Sequence, residues 1–346
     1  MGKTSLLSWI LDRLQVRESP ISQNMQYAAE VLAILLQSSA VNRKRFTELN
    51  GIDSLLQLLS PYRKRDPAKG GEEEELLENL FDVATCVVHE VEGKDKFVEA
   101  EGVELALIML REGKMSKSRA LRLLDHACGG EKGVVVCEKL VDALGLKTIF
   151  GMFMKKQDAQ TNEHILGILS ALLRCLPADS APRIRTLAKF VEKDYEKIGK
   201  LLVLREGYVN GVKAVEKGIE KQKKEMEEEE WEDHEAEWFS RKLDGGLFCL
   251  QLTDLVLAWL CAEDDGARRK VEEVLGEKGL STAVVRETLK GRFCSLDHEV
   301  IYIYEANVGL LLLDQLDSMD DGSDDSEVDD ETRNMKEMLA TLIKFV

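Results

Sequence analysis

Three stretches of the chain share one spacing of apolar positions: FTELNGIDSLLQLL from Phe46 to Leu59, FVEAEGVELALIML from Phe97 to Leu110, and LVDALGLKTIFGMF from Leu140 to Phe153. In each, an apolar residue stands five before a glycine, and others follow it by one, four, five, seven and eight positions. The glycines are Gly51, Gly102 and Gly145, separated by 51 and 43 residues. Such spacing marks a helix with one buried face, and its recurrence marks a repeat array. The opening MGKTSLLSWI obeys the second half of the rule, with Leu6, Leu7, Trp9 and Ile10 following Gly2 at four, five, seven and eight, and Gly2 lies 49 residues before Gly51. It is therefore expected to be the middle of a repeat whose front is missing. At all four positions the glycine is expected to end one helix in a left-handed cap and let the next leave sharply.

Each unit also carries a longer apolar-faced run: residues 25–37, 76–90, 118–128 and 164–176. These predict the inner helices of stacked units, because a wide apolar face on a long helix needs neighbours on both sides. Two or three helices per 43 to 51 residues fit armadillo or HEAT repeats better than the shorter tetratricopeptide unit. Only five prolines and few aromatics, with abundant Leu, Ala, Glu and Lys, favour helices over sheets. The expected fold is all-α, an armadillo/HEAT-like right-handed superhelical solenoid. Repeats are expected over 1–183 and divergent armadillo-like helices over 184–316. The stretch SPYRKRDPAKGGEEEE at 60–75 predicts an exposed loop that lengthens one repeat. Residues 184–226 predict two long helices, and Gly279, with Val274 five before it, marks a further unit. The closing residues 332–346 predict a capping helix.

Charge changes the picture once it is located. The net charge is −17, but residues 225–237 hold nine carboxylates and no base, and residues 317–331 hold nine more. The remainder is close to neutral, so no nucleic-acid footprint is indicated. Residues 317–331, almost without apolar side chains, are expected to be disordered, and Ser326 within them matches an acidophilic kinase pattern. Seven cysteines with no C-x-x-C read as reduced, mostly buried thiols of an intracellular protein. No apolar run reaches a membrane-spanning length. There is no signal-peptide pattern, and Leu6 breaks the myristoylation motif.

Catalytic and metal chemistry is weakly signalled. Gly2-Lys3-Thr4 has only the second half of a phosphate loop and no room for a preceding strand. Asp125 and His126 are adjacent on a helix and so point about 100° apart, with no nucleophile placed beside them. His89, His164, His234 and His298 show no ligand spacing with the cysteines. No cofactor and no metal are expected.

The runs EVLAILLQ, NGIDSLLQLLS, ENLFD, IMLREGKMSKSRALRLLDHA, LGLKTIFGMFMK, LLRCL and RKLDGGLFCLQ resemble the beta-catenin-like family of nuclear, spliceosome-associated armadillo proteins. The resemblance covers about residues 5–345, and relatives continue upstream of Gly2. It implies a non-enzymatic adaptor of the Prp-nineteen-type splicing complex that recognises basic nuclear-localisation segments of splicing factors. A nuclear-import adaptor, or an armadillo scaffold outside splicing, stays open, as does a homodimer. No direct nucleic acid and no membrane partner are expected.

A basic segment needs carboxylates on the inner helices. Aligned by their glycines, Asp82 and Asp125 are equivalent, and Glu30 joins them if one inserted residue is allowed. Glu78, Asp82, Thr85 and His89 fall on one helical face. Glu30, Glu78, Asp82, His89 and Asp125 are the candidate partner-binding residues. Importin-α clamps basic peptides with repeated Trp and Asn, but here Trp9, Trp231, Trp238 and Trp259 all lie off the inner helices of the three clear units. Looser, salt-sensitive electrostatic binding is expected instead.

Overall fold

The structure, a computed structural model, describes residues 5–227, 230–295 and 325–346. Gly2, the Gly2-Lys3-Thr4 stretch, His298 and residues 317–324 of the acidic segment lie outside the described residues, as does the side chain of Ser326. The described elements are all helical. The chain divides into two compact units, residues 1–186 and 187–346.

In the first unit, α1 (Leu6–Gln15) precedes three helical triplets. These are α2 (Gln23–Gln37), α3 (Ala40–Glu48) and α4 (Gly51–Leu59); α5 (Glu72–Val87), α6 (Val91–Glu99) and α7 (Gly102–Glu112); and α8 (Met115–Cys128), α9 (Gly133–Asp142) and α10 (Gly145–Phe153). A fourth long helix, α11 (Ala159–Cys175), follows. The long helices stack in sequence, α2 on α5, α5 on α8 and α8 on α11, while α3, α6 and α9 form a second row. Leu32, Leu36, Leu77, Phe81, Leu121, Leu124, Ile165 and Leu169 are buried along the stack. A unit alone could not cover these faces, so neighbouring units share one continuous core. Ser22, Ser39 and Asp158 start α2, α3 and α11 by accepting backbone N–H bonds from Met25, Asn42 and Thr161.

Gly51, Gly102 and Gly145 lie at helix junctions, but not as left-handed caps. The left-handed residues are the ones before them, Asn50 (φ 57°), Glu101 (φ 59°) and Leu144 (φ 61°), and each glycine is the first residue of its helix. A Cβ at Gly51 would lie 2.6 Å from the Phe46 ring, one at Gly102 would overlap Phe97, and one at Gly145 would lie 2.7 Å from the Leu140 carbonyl. The apolar residue five before each glycine is thus the group that needs the missing Cβ. Gly133, at the start of α9, has the same place after left-handed Lys132, and breaks the apolar code only at Glu138, five positions on. Gly279, at φ 70°, is a true left-handed glycine.

The 60–75 stretch is pinned rather than free. A 3-10 turn at Ser60–Arg63 buries Tyr62, whose hydroxyl donates to Glu73 Oε1 at 3.1 Å. Burial and that carboxylate push the tyrosine up to about 12. Ser116 Oγ donates to the Tyr62 carbonyl at 2.9 Å, and Asp66 accepts the Met115 N–H, so the insertion docks onto the next unit.

The unit boundary falls within α12 (Ala181–Lys223), whose backbone leaves helical geometry at Glu192–Tyr195, giving two helical stretches. The second unit continues with α13 (Trp231–Asp244), α14 (Leu247–Glu263), α15 (Asp265–Gly276), α16 (Ala283–Ser295), α17 (Asp325–Leu342) and a 3-10 turn at Ile343–Phe345. Helix α14 is apolar all round and packs against α13, α15, α16 and α17. Asp254 is enclosed on it, in a two-point ion pair with Arg205 at 2.7 and 3.1 Å. Burial lifts Asp254 to about 6, opposed by the Arg205 charge. The terminal helix begins at Asp325, seven residues before the expected boundary, so residues 325–331 are helical rather than disordered.

Candidate functional site

The stacking of α2, α5, α8 and α11 gathers most of the candidate residues onto neighbouring helices and supplies partners the acidic pattern did not show. Glu78 on α5 pairs with Arg119 on α8, and Asp82 with Arg122 one turn further along. Asp125 on α8 pairs with His164 on α11 at 3.0 Å. The expected acidic ladder is therefore a series of acid–base pairs, each joining one unit to the next. Glu30 on α2 is exposed and accepts from Gln26 at 3.0 Å. Thr85 leaves the series: it is buried and donates to the Phe81 carbonyl at 2.9 Å.

The rungs differ in access. The side chains of Glu78 and Asp82 keep 44% and 33% of their surface in solvent, so each carboxylate has oxygen lone pairs free beside its arginine. Asp125 keeps 16%, and His164 keeps 10%. Burial raises the Asp125 carboxyl above its ordinary range against the pull of His164, and a Cβ on Gly167 would strike its oxygens. Asp125 is a bond between helices more than a surface for a ligand.

His89, just past α5, meets His126 of α8 with 3.0 Å between ring nitrogens and an edge-to-face contact. Burial holds His126 down at about 2, and His89, His164, Arg122 and Lys94 add to the effect. His89, although exposed overall, is held down at about 4 by protein packed around the ring, and by Lys94 and Arg43. Both rings are neutral near pH 7 and share one hydrogen bond. The acidic pattern left out Arg119 and Arg122, and it did not join His126 and His164, weighed above only for catalysis and metal binding, to their partners. A signal was available, since 119, 122 and 126 share a helical face. Among the described residues, no group of three or more His, Cys, Asp and Glu side chains is placed to hold a metal ion. Among them, too, no single helix is long and apolar enough to cross a membrane.

A family model described as catenin-beta-like, Arm-motif containing nuclear, matches residues 1–290. A beta-catenin-like protein 1 homolog from Schizosaccharomyces pombe is 38% identical over 298 residues, covering 86% of this chain and 52% of its own length. Beta-catenin-like protein 1 of Bos taurus is 40% identical over 302 residues (84% of this chain, 53% of the relative), and that of Homo sapiens is 39% identical with the same coverage. The chain spans about half the length of these curated relatives. An engineered protein of known crystal structure matches with a TM-score of 0.50 at 15% identity, over 97% of this chain and 98% of its own, which is a likeness of fold alone.

Proposed function

We propose, from the fact that this chain belongs to the catenin-beta-like, Arm-motif-containing family, that it is a non-catalytic scaffold of the splicing machinery, of the Prp-nineteen-type complex. In this reading it works in the nucleus and takes basic nuclear-localisation-type segments of splicing factors on the inner-helix face of its first unit. The observation that carries the binding part is the placement of Glu30, Glu78 and Asp82 on two stacked helices with their carboxylates open to solvent. A carboxylate already paired with one arginine still has acceptor sites for a second cation. Exposed pairs are individually worth about 0–1 kcal/mol, so several must act together to hold a segment. The buried Asp125–His164 pair and the neutral His89–His126 pair tie helices together in this reading and carry no chemistry.

The test is a titration of the full chain with a labelled Lys/Arg-rich segment and with its glutamine-substituted counterpart. Saturable binding of the basic segment alone is expected. The Glu30→Lys, Glu78→Gln double variant should weaken it at least about threefold while leaving the helical spectrum unchanged. The amide at position 78 still accepts from Arg119, which keeps that cation partnered. Equal binding of basic and neutral segments would sink the reading.

A further inference from the structure

We propose that Trp231 and Trp238 form a clamp for a lysine or arginine side chain of a basic partner segment, closed in the free protein by the chain's own Lys223. The proposal rests on the reading that the chain takes basic segments, and it adds a second anchoring point, in unit 2. Lys223 ends α12, and its ammonium lies 4.3 Å from the Trp231 ring centre and 4.7 Å from that of Trp238. Both distances are within the range in which a cation is held by an indole face, and tryptophan is the strongest of the aromatic partners.

The choice of partner is informative. Glu225, Glu227, Glu230, Asp233, Glu235 and Glu237 all belong to the surrounding stretch. Yet among the described residues Lys223 forms no ion pair, while its neighbour Lys221 reaches Glu225 at 3.9 Å. Of these described groups, it is the two indole faces that Lys223 meets.

The clamp is also built. Trp238 is 5% exposed; its Nε1 donates to Gln222 Oε1 at 3.3 Å, and Arg241 holds the same oxygen at 2.6 Å. His234 stacks on the same indole, with ring centres 5.7 Å apart. Trp231 is less buried, and its Nε1 is enclosed with no acceptor among the described residues. The carboxylates around the clamp would draw a basic segment in, and the indole faces would take one of its side chains. Arginine suits the site as well as lysine, because a guanidinium stacks on aromatic faces. Lys223 is a flexible side chain at a helix end, so its departure needs a change of rotamers and no movement of backbone.

The experiment measures binding of the labelled Lys/Arg-rich segment to the full chain at about 150 mM salt, where long-range charge effects are screened. Lys223→Met, which keeps the length of the side chain and removes the cation, should bind at least about threefold tighter than wild type. Lys223→Arg should match wild type. Adding Trp231→Leu to Lys223→Met should cancel the gain. A Lys223→Met variant that binds no better than wild type would overturn the clamp and leave Lys223 as a strut between α12 and α13. A second measurement separates this from failure of the general reading. Tetramethylammonium should change the tryptophan fluorescence of Lys223→Met more than that of wild type or of the Lys223→Met, Trp231→Leu double variant, whether or not the peptide binds. Equal responses in all three would overturn the clamp.

Discussion

A methyl group added at Gly51 would meet the Phe46 ring at 2.6 Å, in a site where both residues are buried. Gly51→Ala should therefore lower the unfolding free energy by about 1–3 kcal/mol, the usual cost of overpacking a filled core. Gly151→Ala is the control, since a Cβ there meets nothing and the helix gains from losing a glycine. Urea denaturation should move the two variants in opposite directions. The histidine pair gives a second expectation. His126 is held at about 2 and His89 at about 4, both below the ordinary value of 6.5, so the folded chain binds fewer protons than the unfolded one in between. The sign follows: stability is complete above pH 6.5 and falls as pH drops towards 4. His126→Gln should flatten that slope in melting curves recorded from pH 7 to 4.5; an unchanged slope would place the acid sensitivity elsewhere.

Helices begin and join by means that vary in how far the sequence reveals them. Asp158 accepts the Thr161 N–H at 2.7 Å, and that bond holds its carboxyl below the ordinary range. Asp158→Ala should cost about 1 kcal/mol by loss of the cap, measurable as a shift in urea midpoint. Buried Arg205→Met should cost about 3–5 kcal/mol, because Asp254 is then enclosed without its cation and must take up a proton to stay there. The triplets of unit 1 were legible because the burial of one helical face imposes its period on the sequence, as between Phe97 and Leu110. The left-handed residues were not, since Glu101 and Leu144 carry no preference for that conformation. The acidic half of the ladder was legible by alignment. Its basic half was not, because the partners of Glu78, Asp82 and Asp125 come from 41, 40 and 39 residues away and declare themselves only when helices stack.

Across the whole molecule, acidity is concentrated at 225–237 and 317–331 while the rest of the chain is near neutral. Attraction of a basic segment should be correspondingly salt-sensitive, with affinity falling at least about tenfold between 50 and 300 mM salt as the screening length shortens. A flat salt response in the titration would mean that apolar contacts dominate.

The ion pairs between units also have a direction. From α6 to α9 the acid is on the earlier helix, Asp95 to Lys132; from α3 to α6 it is on the later one, Arg43 to Glu90 and Lys44 to Glu92. Each such pair adds little stability. Together they label the joints. A chain in which the second and third triplets were exchanged would set the cations of α3 against Lys132, and the mismatch would be felt at the seam although every apolar face still found a cover. The leucines say that units stack; the charges say in which order.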